Sequence, residues 1–224
     1  MYKYLIKFDD GREQVLDIRL DPSTYTIIPE KGGDAPDWAM LEFGKCSVCP
    51  FSGAQHKYCP VARNLAALTL TFSDQASTVI VDARVITKDR EYFKRTSLQT
   101  VLSSAIGLYM TTSGCPVMSV LKPMAKYHLP FANLNESIYR AVSSYLLQQY
   151  FRKKKGLEPD WDLKGLNKAY EDIKVLNLAI VDRVRKASQK DANYNALIIL
   201  DVFAKMIPWT IDRGLSEKEF LLSD

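Results

Sequence analysis

The stretch Cys46-Ser-Val-Cys49-Pro-Phe-Ser-Gly-Ala-Gln-His56-Lys-Tyr-Cys59-Pro60 carries three of the chain's four cysteines and one of its two histidines. The fourth cysteine stands far downstream, in Ser113-Gly114-Cys115-Pro116. A Cys-x2-Cys pair can grip one ion from the two arms of a tight turn. A third thiolate ten residues on and a remote fourth complete a tetrahedral all-sulfur site. Any fold that satisfies this pattern must bring residues 46–59 against whatever follows Gly114. The expected metal ligands are therefore Cys46, Cys49, Cys59 and Cys115, with His56 as the alternative ligand.

The residues leave two metals open. Cys-x2-Cys and His56-x2-Cys59 suit Zn2+. The repeated Cys-Pro and the three-plus-one spacing suit a [4Fe-4S] cluster, because a proline after the ligating cysteine is a feature of ferredoxin-type sites. Zinc is favoured and the cluster is the alternative. Cys49, Cys59 and Cys115 each precede a proline, and Cys59 and Cys115 are expected at helix N-caps. There, free N–H groups and the helix dipole stabilise a thiolate. The bland reading is four buried, unlinked thiols acting as small apolar groups; their clustering at turns argues against it.

At 224 residues the chain does not need a metal merely to build a core. Its 47% hydrophobic and 25% charged residues are those of an ordinary globular protein. The longest apolar runs fall short of the ~20 residues that a membrane helix needs. The opening Met-Tyr-Lys-Tyr-Leu-Ile-Lys-Phe-Asp-Asp has no signal-peptide centre. These features point to the cytoplasm, where four cysteines serve as thiols or ligands rather than disulfides.

Alternation in Tyr2, Tyr4, Ile6 and Phe8, the turn Asp9-Asp10-Gly11, and then Val15, Leu16, Ile18 and Leu20 predict a hairpin. Short strands are expected at Tyr25–Ile28 and Trp38–Phe43, on either side of a turn-rich loop over 30–37. Pro60 is placed to open a helix with Cys59 at its N-cap. Val61, Leu65, Leu68 and Phe72 continue it at helical spacing. Ser77–Ile86 returns to strand. A helix is expected from about Ser97 to Thr111, and another from Pro116, kinked at Pro123. Three more follow, over 134–155, 164–187 and 191–207, the last ending before Pro208; an antiparallel bundle is their simplest packing.

The fold class is thus α+β: a small N-terminal antiparallel sheet with a Cys-rich metal knot, followed by a C-terminal antiparallel helical bundle. Residues 1–95 form the β-rich part with the Cys46/Cys49/Cys59 loop and one helix. Residues 96–224 form the bundle, joined to it through Cys115 in one compact unit.

Residues 60–155 carry thirteen basic and five acidic side chains, whereas both flanking segments are net acidic. The excess lies in Arg84, Lys88, Arg90, Lys94 and Arg95 and in Arg152–Lys155. A strand and the loop after it could present the first group to nucleic acid. The acidic flanks make nucleic-acid binding the less favoured outcome, and the second group reads as a helix end. His128, between Pro123 and Pro130 in the 122–132 stretch, reads as a hydrogen-bonded core histidine. About 20 Å of rise along an unkinked helix separates it from Cys115, which argues against a direct Cys/His dyad.

Phe8-Asp-Asp-Gly11, Cys46-x2-Cys49-Pro, Tyr58-Cys59-Pro-Val-Ala, Ser113-Gly-Cys-Pro and His128-Leu-Pro-Phe-Ala132 together resemble a family of uncharacterised bacterial proteins. The resemblance covers nearly the whole chain and implies a free-standing bacterial protein, with no activity to carry over. No phosphate loop, dinucleotide fingerprint, zincin motif or nucleophile elbow is present. The favoured function is a non-enzymatic cytoplasmic protein with a structural four-cysteine metal site and a partner-binding role. The alternative is an iron–sulfur or thiol-based redox or sensor protein.

Overall fold

The computed structural model describes residues 1–28, 35–213 and 215. Part of the loop expected over 30–37 lies outside these residues. Strands β1 (Tyr2–Phe8) and β2 (Glu13–Ile18) form the expected hairpin, with Gly11 at φ +87° in its turn. Strands β3 (Ile80–Ile86) and β4 (Glu91–Ser97) form a second hairpin. The two join through β1 and β3 into a four-stranded antiparallel sheet of order β2-β1-β3-β4.

Strand periodicity assigns the two faces. Tyr4, Ile6, Phe8, Val81, Ala83 and Val85 are buried beneath the sheet, whereas Lys7, Arg84 and Phe93 face out. Helices α1 (Pro60–Thr71) and α2 (Leu98–Thr111) pack with each other, and α2 also packs against β3 and β4. Proline at the first position of α1 costs no hydrogen bond, because that N–H has no partner within a helix.

The remaining helices are α3 (Lys122–Lys126), α4 (Leu134–Lys154), α5 (Lys164–Ala187) and α6 (Ala192–Asp212). Asn133 and Glu136 close a capping box at the start of α4. Residues 188–191 turn α5 back onto α6, and α6 also packs on α2. Sheet and helices share a single core that runs from Tyr4 to Ile211.

Five local expectations change. Trp38–Phe43 is two 3-10 turns, Asp37–Ala39 and Leu41–Phe43, not a strand. Tyr25–Ile28 contributes only an isolated bridge, Leu20 to Ile27. The residues after Ile86 are strand β4 rather than a loop. The helix from Pro116 is a 3-10 segment, Val117–Leu121, followed by α3. Pro123, which lacks an N–H, therefore lies in the first turn of a new helix. Finally, Pro208 lies inside α6 and does not end it.

Helix α6 is also long and apolar enough, by length and composition, to cross a membrane, which a search for unbroken apolar runs overlooks. Here it packs between α5 and α2.

Candidate metal centre

The four cysteines arrive from three directions and line one pocket. The Cys49 N–H donates to the Cys46 carbonyl at 3.0 Å, closing the tight turn that a Cys-x2-Cys element needs. Cys59 is held from both sides. Its N–H donates to the Ala39 carbonyl at 2.9 Å, and its own carbonyl accepts the Arg63 N–H at 2.9 Å in the first turn of α1. Gly114, at φ +87°, makes the left-handed turn that delivers Cys115, a conformation strained for any residue with a side chain. The Ser113 hydroxyl then accepts the Cys115 N–H at 3.2 Å.

Helix α5 closes the pocket with Leu176, Ala179, Ile180 and Arg183. Arg183 is 2% exposed. Its Nη1 donates to the carbonyls of Trp38 at 2.6 Å and Met40 at 2.7 Å. Its Nη2 donates to Leu41 at 2.8 Å and its Nε to Gly44 at 3.2 Å. Among the described residues no carboxylate lies within ion-pair distance of it. The nearby ionisable groups that favour its charged form are Cys59, Cys46 and Cys49. A guanidinium taken out of water is costly unless it is paired. Here four backbone carbonyls receive it, and the cysteines are the ionisable groups beside it.

All four cysteines are free of disulfides. Burial pushes the Cys46 thiol up to about 11, helped by the neighbouring Cys49, Cys115 and Cys59. Burial also raises Cys115, against N–H donation from Met118 and Val117. Several ionised thiols cannot share this space without a cation, whereas a bound divalent ion deprotonates its thiol ligands outright. The enclosed space is about 20 Å3, the size of one ion or water. Among the described residues, however, no three His, Cys, Asp or Glu side chains stand close enough together to hold an ion as they are. Ligation would require the thiols to draw closer together.

His56 does not line this pocket. Its ring lies on Phe51, with centroids 3.9 Å apart. Cys59 is the N-cap of α1, but its side chain makes no capping hydrogen bond.

A family model described as Domain of unknown function (DUF6901) matches residues 1–223. The chain belongs to this family. No curated protein and no solved structure matches it. The family carries no activity with it, so the site stands on its own chemistry.

Arg183 is the residue that sequence reasoning misses. It precedes Arg185 and Lys186 at the end of a long helix, where cations are usually solvated. The available signal is periodicity, because Leu176, Ile180 and Val184 place position 183 beside the buried stripe of α5.

Two cations of the basic middle are paired within the sheet. Arg84 meets Glu91 at 3.5 Å, and Arg95 meets Asp9 at 3.0 Å and Asp82 at 3.1 Å. His128 lies 2.6 Å from the Tyr4 hydroxyl and 3.4 Å from Ser104 Oγ. It retains some accessible surface, yet the protein around it disfavours the imidazolium and pushes its pKa down to about 3.

Proposed function

We propose that this is a non-enzymatic protein of the cytoplasm whose Cys46, Cys49, Cys59 and Cys115 hold one metal ion, Zn2+ in preference, as a structural lock. The ion would fasten the 37–59 segment and the start of α1 to the turn before the Val117–Leu121 segment. The observation that carries this reading is Arg183, a buried guanidinium with no carboxylate beside it, in the wall of the four-cysteine pocket. A tetrathiolate site around a divalent ion has a net charge of −2, and Arg183 offsets part of it. The small enclosed volume favours a single ion. The supported partner-binding surface is the outer side of α4, where Tyr139, Leu147, Tyr150 and Phe151 are exposed.

The second reading is a [4Fe-4S] cluster with a redox or sensory role. It is favoured by the repeated Cys-Pro and the three-plus-one spacing of the cysteines. Purification without oxygen, followed by metal analysis and an absorption spectrum, separates the two. Colourless protein with about one zinc per chain supports the first reading, and brown protein with about four irons supports the second. Protein that binds neither metal from a supplied excess overturns both.

A further inference from the structure

A second cavity, of about 380 Å3, lies among α2, the 117–126 segment, the start of α4, α5 and α6, and shares no lining residue with the cysteine pocket. That volume falls within the range of small-molecule sites. Its wall is mostly Leu, Ile, Met, Ala and Phe, and none of its described lining residues is acidic. Among the described residues the only formally charged side chains in the lining are Lys94 and Arg140.

Its polar groups are poorly satisfied by the protein. Arg140 Nη2 donates to the carbonyls of Met124 at 2.6 Å and Tyr127 at 2.9 Å, and among the described residues it forms no ion pair. Glu136, one turn earlier, is occupied in the capping box with Asn133. Tyr170, 3% exposed, has only the Met124 sulfur, 4.0 Å away, as a partner for its hydroxyl. Asn177, 2% exposed, makes no side-chain hydrogen bond among the described residues. Tyr170, Ile173 and Asn177 recur at helical spacing on one stripe of α5 and all reach this cavity. Buried polar groups in native proteins are nearly always hydrogen-bonded, so the weakly bonded Tyr170 hydroxyl and the Asn177 amide offer hydrogen-bonding capacity to a molecule in the cavity.

We propose that this cavity is a binding site for a hydrophobic monocarboxylate, with its carboxylate on Arg140 and the donors of Tyr170 and Asn177 and its apolar body against Leu200, Phe203 and Ile207. Arg140 supplies the charge and a fork that matches a carboxylate, and the phenol and amide supply neutral donors beside it. Among the described lining residues no carboxylate stands to receive a cation, and Arg140 and Lys94 repel one. The apolar wall disfavours inorganic anions, which would lose their water for nothing. This site is independent of the cysteine centre and does not rest on its metal.

The test is calorimetric titration of the full-length protein with sodium decanoate, with 1-decanol and decylamine as probes of equal chain length. Decanoate should bind at one site per chain, decanol at least about tenfold more weakly and decylamine not at all. Arg140→Met should remove the preference for decanoate over decanol. Leu200→Trp, which fills the cavity from α6, should weaken both. A further readout needs no variant. In the wild-type complex the carboxyl carbon of decanoate labelled with carbon-13 should titrate at lower pH than in free decanoate, because the adjacent guanidinium favours the anion. Equal binding of decanoate and decanol, a carboxyl pKa raised on binding, or no binding of any probe would each overturn the proposal.

Discussion

Arg183 Nη1 donates to the Met40 carbonyl at 2.7 Å, across 143 residues of chain. With its bonds to Trp38, Leu41 and Gly44, this guanidinium takes the place of the backbone partners that a strand over Trp38–Phe43 would have had. The segment can therefore run as 3-10 turns with its carbonyls satisfied, and it delivers Cys46 and Cys49 to the pocket that Arg183 also lines.

Arg183→Met should accordingly destabilise the fold by about 3 kcal/mol, because four carbonyls lose a charged donor and some are left buried without one. Arg183→Lys should rescue little, since a single ammonium cannot reach all the acceptors that a planar fork serves. Urea unfolding monitored by circular dichroism measures both variants. A loss below about 0.5 kcal/mol in the methionine variant, the range of ordinary surface substitutions, would reduce Arg183 to a bystander.

Cys115→Ser tests the lock itself. It removes one ligand and releases the long connection between Cys59 and Cys115. The thermal midpoint should fall by several degrees, and a strong chelator should lower the wild-type midpoint comparably while leaving the variant almost unmoved. Equal sensitivity of the two proteins to chelator would detach the cysteines from stability.

The two hairpin halves at the N-terminus and the helices α1, α2, α4 and α5 were legible because their apolar residues repeat at the period of the element they form. β4 was not. Glu91-Tyr-Phe-Lys-Arg-Thr-Ser97 alternates weakly, and its charges conceal pairings, such as Arg95 with Asp82, that exist only once β3 lies alongside. Trp38–Phe43 was misread because aromatic and apolar residues suit a strand, and the groups that satisfy its turns, Arg183 and the backbone of Lys57 and Cys59, are distant in sequence. Pro208 deceived differently: a proline costs a helix one hydrogen bond, and α6, packed between α5 and α2, tolerates that loss. The cysteine pattern pointed to a shared metal site; all four cysteines line one pocket, but among the described residues no three ligating side chains stand close enough to hold an ion. The carboxylate cavity had no sequence signal, since Arg140 of α4 meets Tyr170 and Asn177 of α5 only in the fold and each looks like an ordinary helical position.

Acid should weaken the protein through His128. Its folded pKa is depressed by burial to about 3, whereas an unfolded histidine titrates near 6.5. Between those values the unfolded chain binds the proton and the folded chain does not. The contribution is therefore complete above about pH 6.5 and declines as pH falls toward 3, by up to about 1.4 kcal/mol per pH unit. His128→Gln retains hydrogen-bonding capacity toward Tyr4 but does not titrate, so its stability should decline less between pH 6.5 and 5, above most carboxylate titrations. Identical pH profiles for the two proteins would show that His128 is not the group responsible.

The face formed by β3 and β4 should not bind nucleic acid tightly. Arg84 and Arg95 already have carboxylate partners, and a phosphate would have to compete with Glu91, Asp9 and Asp82 for them. Lys94 is placed opposite Ala83, on the side of the sheet away from Arg84 and Arg95, and it borders the carboxylate cavity instead. Lys88 and Arg90, at the turn between the strands, are too few to displace many counterions. Each phosphate neutralised on duplex DNA contributes about 0.9 to the slope of log affinity against log salt, so the expected slope is about 2 or less. Fluorescence anisotropy with a random duplex at several salt concentrations measures it. Submicromolar binding at physiological ionic strength with a slope above about 4 would mean that the internal ion pairs open to admit phosphates. In that case Arg84→Gln and Arg95→Gln should each lower the slope by about 1.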